Sequence, residues 1–497
     1  MFYENKIKQK NIRYKKVNYA SFVNGINSDY DEKILPVRYA TSTYNYSYLN
    51  GALRTGLGVK ELSISYDRLD RSKKKSVVLP DGVEAIATYT YIRQDKFMGE
   101  YMDMLLVYAS DCKIYAYSMY FDSDSFFVLD QVLFSTIPLV VNYNIEGKDC
   151  VIFVTEEEGM FVWDGESHMT KIDDAPSITS MCIHYERMFA TVVDDARSIC
   201  FSDDLNPTNW AQSLTEGGFV SIIDERGSSK KIISFNDYLY IFRDYGIDRM
   251  VAYADQTGFQ INPLFTSSTK IYTDTIRVCG DRIVFLAEDG IYYFSGLSTT
   301  KYDLNINSKF VGVYNDKAKA SYYNGKYYLA CRMKFDEDMV GCESVEFDNN
   351  CLLELDLKTG GLNILRGYDI INLQTLNSRI ESKLVICVKV DGVTKLGELS
   401  NDGEVFGKST HKMWRSPKLN FDEPLRDKLI KSLTLSSSGD VTIRIRYDNN
   451  EKDYRIKGSN NLITIYPNIK GKEIAVDFLC DKSGCNISNP EMIIGVL

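Results

Sequence analysis

Pairs of short apolar runs, joined by tight polar turns, recur through the middle of the chain. Val151–Val154 and Met160–Trp163 form one pair, and the acidic turn between them ends at Gly159. Equivalent pairs flank the turns that end at Gly246 and Gly290. Apolar runs of this length on both sides of an acidic turn with glycine predict β-hairpins.

The turn glycines also indicate a repeat. Gly246 and Gly290 are separated by about 44 residues, and Gly159 lies close to two such periods before Gly246. Further hairpin patterns fall near the positions that this period requires, at residues 104–117, 188–201, 326–355 and 384–392. The chain therefore contains about seven copies of one unit.

A propeller blade is a four-stranded unit of about 40 to 50 residues, whereas leucine-rich and helical repeats are shorter or have a helical pattern. Helical periodicity is nearly absent from this chain. We therefore predict an all-β fold in which residues 83–405 form a six- or seven-bladed β-propeller, with an acidic insertion at about residues 334–347. Ring closure is expected to borrow a strand from the extended N-terminal segment, residues 1–82.

The pattern changes in the last part of the chain. Strict alternation places Val441, Ile443, Ile445 and Tyr447 on one face of a strand, and further short strands follow between Gly, Asn and Asp turns. Short strands with one apolar face predict a C-terminal β-sandwich over residues 406–497.

Composition supports the all-β prediction and limits the partners. The chain has 35 Tyr and 24 Phe but 10 Pro, and aromatic residues suit the half-buried faces of sheets. Its net charge of −10 excludes binding to the DNA backbone through the overall field. No stretch approaches about 18 consecutive apolar residues, so no transmembrane helix and no membrane contact are predicted. No apolar core follows the basic N-terminus, so no secretory signal is expected.

Eleven cysteines are scattered through strand-like runs. Their odd number and the lack of framework spacing predict buried thiols in a protein made in a reducing cytosol. Cys480 and Cys485 form a close pair, but without a second pair or a nearby histidine they do not predict a zinc site.

Two basic segments contrast with the acidic composition. The N-terminal arm has aromatic residues between its basic ones, a pattern that suits docking on the propeller or on a neighbouring subunit. Its basic residues are Lys6, Lys8, Lys10, Arg13, Lys15 and Lys16. Lys73-Lys74-Lys75 could contact nucleic acid or an acidic partner, but we predict an exposed loop there.

Residue types that carry catalysis do not form a recognisable site. No nucleotide-binding loop, zincin helix motif or nucleophile elbow is present. His168, His184 and His411 have no cysteine or second histidine at ligand spacing. We therefore predict a protein that is not an enzyme, with no catalytic residue, no metal site and no cofactor. Acid pairs at 173–174, 194–195 and 203–204 could support glycoside hydrolysis, but aspartate is also the expected residue in turns.

The run Phe201–Trp210 resembles the aspartate box of sialidase-like propellers, in which Ser and Asp stabilise a hairpin turn and Trp packs beneath it. The spacing here is one residue longer. Asp204 and Asn206 are expected to form a turn with Pro207, and Trp210 is expected to anchor that turn in the core.

Two short motifs lie between the basic arm and the first repeat. Phe22–Asn27 reads Phe-Val-Asn-Gly-Ile-Asn, and Gly51–Gly58 reads Gly-Ala-Leu-Arg-Thr-Gly-Leu-Gly, with Asn45 between them. Together they resemble the opening of phage tail-hub and packaged-DNA-stabilisation proteins, except that Asn24 replaces the first glycine of that family's turn. The matching residues are Phe22, Gly25, Asn27, Gly51, Leu53, Arg54, Gly56 and Gly58.

Later segments extend the resemblance over most of the chain. Recurring sequence segments of the same family are similar to residues 201–210, 236–242 and 317–328. Trp414–Phe421 resembles the start of sandwich domains in many phage structural proteins. The resemblance implies a virion protein of the tail or neck. Such a protein is expected to form a homo-oligomeric ring, with six copies favoured, that extends the DNA conduit. Its implied partners are portal, adaptor or other tail proteins, and double-stranded DNA would pass without sequence-specific binding.

Two other functions remain open. One is a phage receptor-recognition propeller that binds or cleaves carbohydrate, which would need an acid pair and aromatic platforms in one pocket. The other is a cellular propeller scaffold, which predicts a stable monomer and does not account for the segment from Asn24 to Gly58.

Overall fold

The computed structural model of the 497-residue chain describes residues 13–18, 22, 25–49, 51–67, 69–94, 99, 101–120, 126–213, 216–253, 256–335, 347–421 and 423–497. Within them nearly all regular structure is β-strand, with short 3-10 turns such as Gln256–Gly258 and Asn307–Lys309. Lys6, Lys8 and Lys10 of the basic arm lie outside the described residues, as does most of the acidic insertion. None of the described helices is long and apolar enough to cross a membrane.

The described N-terminal residues form seven short strands before the first repeat. They are β1 (Arg13–Asn18), β2 (Ser42–Tyr44), β3 (Tyr46–Leu49), β4 (Ala52–Thr55), β5 (Gly58–Glu61), β6 (Ser63–Ser65) and β7 (Lys74–Ser76). β6 and β7 form a small hairpin. The other five join sheets that are built mainly from later parts of the chain, so this segment contacts both halves of the molecule.

Six antiparallel sheets follow in the described chain, each with four strands in sequence order. The first contains β8 (Ala85–Tyr91), β9 (Met104–Ala109), β10 (Ile114–Ser118) and β11 (Phe126–Val128). The second contains β12 (Leu139–Ile145), β13 (Lys148–Thr155), β14 (Gly159–Trp163) and β15 (Thr170–Ile172). The third contains β16 (Ile178–His184), β17 (Arg187–Val192), β18 (Ser198–Phe201) and β19 (Gly218–Ser221).

The remaining sheets of this region continue the pattern. The fourth contains β20 (Ser229–Phe235), β21 (Tyr238–Arg243), β22 (Gly246–Val251) and β23 (Gln260–Thr266). The fifth contains β24 (Ile271–Val278), β25 (Ile283–Ala287), β26 (Gly290–Phe294) and β27 (Thr299–Lys301), and the sixth β28 (Lys319–Tyr323), β29 (Lys326–Cys331), β30 (Cys351–Asp356) and β31 (Leu362–Arg366). A seventh sheet joins β32 (Asp369–Asn377), β33 (Ser382–Val390) and β34 (Val393–Ser400) to β5, β35 (Glu404–Val405) and β36 (Lys408–Ser409).

The first strands of these seven sheets lie next to one another around a common axis. β8 contacts β32, β32 contacts β28, and the same neighbour relation continues through β24, β20, β16 and β12. Asn142 of β12 completes the circle, because its side-chain amide donates to the carbonyl of Thr90 in β8 (2.8 Å). Apolar cores fill the space between adjacent sheets, as where Ile152 of the second sheet packs with Met188 of the third. Four-stranded sheets arranged radially in this way form a β-propeller.

The hairpins expected from the sequence are the second and third strands of the sheets. Val151 pairs with Trp163 across β13 and β14, and equivalent hairpins lie at β21–β22 and β25–β26. The prediction of repeated hairpins is therefore confirmed. Most of the first strands have a shift in pairing register, in β8, β16, β20, β24 and β32.

Four of the first strands turn into the second through two residues that both have positive φ. These turns are Glu146-Gly147, Tyr185-Glu186, Asn236-Asp237 and Asn324-Gly325. Such type I′ turns match the twist of the strands and favour Asn and Gly. Tyr185, with φ of 44°, is strained because a bulky side chain disfavours this backbone conformation.

β5 closes the ring. It pairs antiparallel with β34 in the seventh sheet, and its Val59 is fully buried. Glu398 of β34 binds Lys60 of β5 (3.1 Å) and Lys383 of β33 (2.7 Å). The expectation that ring closure borrows a strand from the N-terminal segment is confirmed.

The last strands build two further sheets. They are β37 (Lys412–Arg415), β38 (Lys428–Ser437), β39 (Val441–Tyr447), β40 (Asn450–Ile456), β41 (Leu462–Ile465), β42 (Ile469–Gly471), β43 (Ile474–Cys480) and β44 (Ile487–Val496). One sheet contains β1, β3, β4, β44, β38, β41 and β42, and the other contains β2, β37, β43, β39 and β40. Both contribute to one apolar core, in which Val441, Ile443 and Ile445 are buried as the alternation predicts.

The cysteines of the described chain are free thiols. Of these ten, seven are buried, and Cys112, Cys182 and Cys200 are half-buried. The prediction of buried thiols is therefore confirmed for seven of the ten described cysteines.

Candidate functional site

The described end of the basic arm is a strand of the C-terminal region. β1 pairs antiparallel with β44, and Val17 enters the core that the two C-terminal sheets share. Lys16 binds Glu491 (2.7 Å), and the Lys15 ammonium donates to the carbonyl of Phe421 (2.9 Å). The basic residues at this end therefore hold the arm against its own chain.

The first family-like motif begins with a buried aromatic anchor. Phe22 is 1% exposed, and its ring lies edge-on to Trp414 (5.0 Å between ring centroids) and to Phe478 (6.3 Å). Edge-to-face aromatic pairs stabilise a core beyond the area that they bury. Phe22 thus joins the N-terminal segment to the C-terminal sheets.

Gly25 and Asn27 shape the loop that follows. Gly25 has a φ of 68°, in the left-handed region that favours glycine. The Asn27 carboxamide oxygen accepts the backbone N–H groups of Asp29 (3.2 Å) and Tyr30 (3.3 Å). The Asp29 carboxylate in turn accepts the N–H of Ser308 (2.8 Å), which lies between the fifth and sixth sheets. This loop therefore docks on the propeller.

Asn45 holds three parts of the chain together. It is fully buried with a φ of 61°, and its side-chain amide donates to the carbonyls of Arg366 (3.1 Å) and His411 (2.6 Å). Its carboxamide oxygen accepts the N–H of Arg366 (2.7 Å). A Cβ on Gly56 would overlap the Asn45 backbone, and one on Gly58 would overlap the carbonyl of Glu404. Both glycines are therefore required by close approach.

The other residues of the second motif have different surroundings. Gly51 has a φ of 72° in the turn between β3 and β4, and Leu53 is fully buried opposite Ile487 of β44. Arg54 is exposed on β4, opposite Ser47. The matching residues thus form a junction between propeller and C-terminal sheets, and Arg54 is the one that points to solvent.

The aspartate-box-like run is a structural turn. Asn206 accepts the N–H and the hydroxyl of Thr208 (3.2 and 2.7 Å), and Leu205 has a φ of 57°. Asp204 is exposed. Trp210 is 6% exposed in the core between the second and third sheets, and its indole donates to the carbonyl of Pro207 (3.1 Å). The prediction that Trp210 anchors this turn is confirmed.

The acids and histidines weighed for chemistry are not brought together. Asp195 accepts the hydroxyl of Ser198 (2.6 Å) within its own turn. His168 lies near Asp130 (3.6 Å), His184 bonds to Ser234 (2.8 Å), and His411 bonds to Asp481. In the part of the chain that the structure describes, no three metal-ligating side chains form a group.

The lysine run is not an exposed loop, so that prediction was wrong in part. Lys73 binds Asp67 (2.8 Å), whereas Lys75 is buried in strand β7. A strand alternates its side chains between two faces, so the three lysines do not form one cationic patch.

A polar cavity of about 510 Å³ lies beside the first motif, where Gly25 and Tyr48 face the fifth and sixth sheets. Its buried acid, Glu354, accepts hydrogen bonds from Asn363 (2.7 Å) and Tyr328 (2.7 Å) and binds Lys326 (2.9 Å). Clefts of this size fit small ligands. The carboxylate here is already bound by three groups of the protein.

The fourth sheet and the loop before it contain a largely buried ionic group that the sequence analysis did not identify. Arg226 binds Asp224 (2.6 Å) and Asp248, and Arg243 binds the same two carboxylates. Asp248 is fully buried, and the side chain of Arg243 is 1% exposed. The Arg243 guanidinium also donates to the carbonyl of Gly227 (2.9 Å). We call Asp224, Arg226, Arg243 and Asp248 the paired cluster.

Hydrogen bonding from Arg226 is the largest cause that lowers the pKa of Asp224, to about 2. Two cations and two carboxylates balance, so the paired cluster leaves no net charge for a ligand. A sequence signal does exist, because Arg243 ends an otherwise apolar strand and Asp248 follows in the next one.

Comparisons with known proteins add a likeness in fold alone. No family model and no curated protein matches the chain. Among solved structures, BBS1N in complex with ARL6DN, from crystals soaked with lead, is similar with a TM-score of 0.41 and 8% identity. The same complex soaked with mercury gives 0.42 and 10%, and each match covers 69% of this chain and 98% of the other. At these TM-scores the likeness supports no conclusion about function or partners.

Proposed function

We propose that this protein is a structural component of a phage virion, a ring-forming part of the tail or neck that extends the DNA conduit and binds neighbouring tail proteins. The observation that carries the proposal is the position of the family-like segment. Phe22, Asn45 and Gly56 join the propeller to the C-terminal sheets. A segment that sets the angle between two bodies suits a part that works by geometry.

We infer seven blades and a C-terminal β-sandwich. The seven consecutive sheets support the blade number, and the single core between the last two sheets supports the sandwich. The division at residues 82/83 and 405/406 then has exceptions, because β5 and β36 belong to the sheet of the seventh blade and β1 to β4 join the C-terminal sheets.

Ring contacts would come from the arm and the sandwich. β1 is an added strand along β44, and Val17 is its one buried residue. Because β1 is held mainly by its main-chain pairing with β44, it can pair with the same edge of a neighbouring copy, as in strand exchange between protomers. The acidic body would keep DNA from adhering as it passes, and no membrane is involved.

Mass photometry of the purified chain, alone and with portal, adaptor and tail proteins, tests the assignment. We expect a ring of about six copies, or ring formation when a partner is added. Removal of residues 1–18 should abolish the ring while the propeller stays folded, and the variant Lys60→Gln is a control outside the arm. A monomer that binds none of the added virion proteins would contradict the proposal and would favour a cellular scaffold.

A carbohydrate-binding role in receptor recognition is the second candidate, and an exposed aromatic pair favours it. The rings of Tyr185 and Tyr253 lie 5.4 Å apart, and the two residues are 44% and 68% exposed. Tyr185 is held at positive φ in a turn where Asn would be unstrained. Strain of this kind is commonly kept for function.

Replacing Tyr185 should affect the stability of the fold and the binding of glycan in opposite directions. Tyr185→Asn should raise the free energy of unfolding by about 1 kcal/mol, because the turn is relieved, while glycan binding is lost. Tyr253→Asn should also abolish glycan binding but without the gain in stability. Urea unfolding and a glycan array measure the two effects. Lower stability of Tyr185→Asn with no glycan bound by the parent protein would contradict this role.

A further inference from the structure

Basic side chains from three neighbouring first strands meet at the propeller axis. Lys231 lies on β20, Arg277 on β24 and Lys319 on β28. Asp274 of β24 is the carboxylate among them and forms an ion pair with Lys319. We call these four residues the channel cluster.

Two side chains of the channel cluster are partly exposed. The side chain of Asp274 keeps 48% of its exposure and that of Lys319 keeps 24%, although both lie on innermost strands. The other strands of each sheet lie on the outer side of these first strands, so we place this exposed surface on the side of the propeller axis.

Irregularities in strand pairing lie directly before two of the cations. The register of β20 shifts between Ser229 and Lys231, and that of β24 shifts between Tyr272 and Arg277. A bulge turns the side chain at its end away from the regular alternation, and bulges are common beside functional sites. Lys231 and Arg277 each follow such a shift, and the two cations lie close enough to repel each other.

The charges of this cluster do not balance. Lys319 is paired with Asp274, while Arg277 donates to the carbonyl of Ile276 (2.7 Å). Lys231 has no ion-pair or hydrogen-bond partner among the described residues. Three cations therefore face one carboxylate, in a protein whose net charge is −10.

We propose that the channel cluster binds a small phosphate-type oxyanion in the axial channel. Lysine and arginine are the side chains that bind such anions, through charge-assisted hydrogen bonds. A free anion with about two negative charges would balance the cluster and supply the partner that Lys231 lacks. This site does not depend on the proposed virion role.

The protonation of Lys231 gives the site a pH dependence. Burial is the largest cause that lowers the pKa of Lys231 to about 8, and repulsion from Arg277 is the next, while Asp274 opposes them. Cys182 of β16 also faces this lysine, and burial raises the pKa of its thiol to about 12, so it stays neutral. Lys231 therefore loses its charge as the pH rises from about 7 to about 9.

Calorimetric titration with inorganic phosphate and with sulfate, at fixed ionic strength, tests the site. We expect one anion per chain. Sulfate has the same charge at both pH values, so its affinity should fall about tenfold from pH 7 to pH 9 as the charged fraction of Lys231 falls. Phosphate serves as the probe of ligand class at pH 7.

Variants at neighbouring positions provide the controls. Lys231→Met should lower sulfate affinity at least tenfold, whereas Lys230→Met, which removes an exposed cation from the same strand, should leave it unchanged. Lys231→Arg keeps the charge at pH 9 and should remove the pH dependence, even if the methionine variant does not fold. Absence of sulfate and phosphate binding in the parent protein would overturn the proposal, as would equal losses in the 230 and 231 variants.

Discussion

Two ionic clusters that each include residues of the fourth sheet differ in their charge balance and in their exposure to solvent. In the paired cluster two guanidinium groups meet two carboxylates, and Asp248 is fully buried. In the channel cluster three cations surround Asp274, whose side chain is about half exposed. Buried charge is tolerated only when it is paired, whereas charge beside water can remain unpaired. The excess positive charge of the channel cluster therefore favours a binding site, whereas the balanced charge of the paired cluster favours a structural role.

Breaking the balanced cluster should have the largest effect. Asp248→Ala leaves Arg226 and Arg243 with one half-buried carboxylate, that of Asp224, so the free energy of unfolding should fall by about 3 to 5 kcal/mol. Urea unfolding followed by tryptophan fluorescence measures it. Asp281→Ala, which removes an exposed partner of Arg282, is the control and should cost under about 1 kcal/mol. Equal effects in the two variants would contradict the distinction.

Removing the carboxylate of the channel cluster should sharpen the contrast. Asp274→Asn keeps the shape of the side chain but raises the excess positive charge, so sulfate affinity should rise roughly 3- to 10-fold. Stability should fall by about 1 kcal/mol, because the pair with Lys319 is partly exposed. Calorimetry and urea unfolding separate the two results. Weaker sulfate binding would mean that Asp274 helps to hold the anion.

Deleting one cation from each cluster compares them directly. Without anion, Lys231→Met should change the free energy of unfolding by less than about 1 kcal/mol, because no carboxylate is left unpaired. Arg243→Met should destabilise by about 3 kcal/mol or more, because Asp248 loses a partner while buried. Denaturation of both proteins in a chloride buffer provides the measurement. A large loss in the Lys231 variant would show that this lysine supports the fold.

Protonation of Asp224 in acid should give the smallest of these losses in the free energy of unfolding. The pKa of Asp224 is lowered to about 2, chiefly by hydrogen bonding from Arg226, so its contribution to stability is complete above the unfolded value of about 4. That contribution is lost as the pH falls toward 2. Unfolding curves between about pH 2 and pH 5 should therefore converge for the parent protein and Asp224→Asn. Curves that stay parallel would contradict this assignment.

The repeat could be predicted because its signal is local. Each second-to-third-strand hairpin, such as β13–β14, has apolar runs and an acidic glycine turn within a few residues. The alternation at Val441 to Ile445 is local in the same way, and it correctly predicted the buried face of β39.

The inner turns and the clusters could not be predicted as readily. Asn324-Gly325 is a recognisable turn signal, but Tyr185-Glu186 adopts the same backbone against its residue preference. Lys231, Arg277 and Lys319 lie about one repeat apart, so their meeting becomes visible only when the repeat is wound around an axis. The register shifts beside Lys231 and Arg277 cannot be recognised in the pattern of apolar and polar residues.

The closure of the ring by β5 has a consequence for synthesis. This strand leaves the ribosome long before β34, its partner at residues 393–400. Until β34 has been translated, β5 has no strand to pair with. Until the two strands pair, the edge of the seventh sheet at β34 stays open. Pairing between distant segments is slow because loop closure must precede it, and open edges invite aggregation. We therefore expect the first part of the ring to be translated to be the last to fold, and truncated chains to aggregate rather than form a smaller ring.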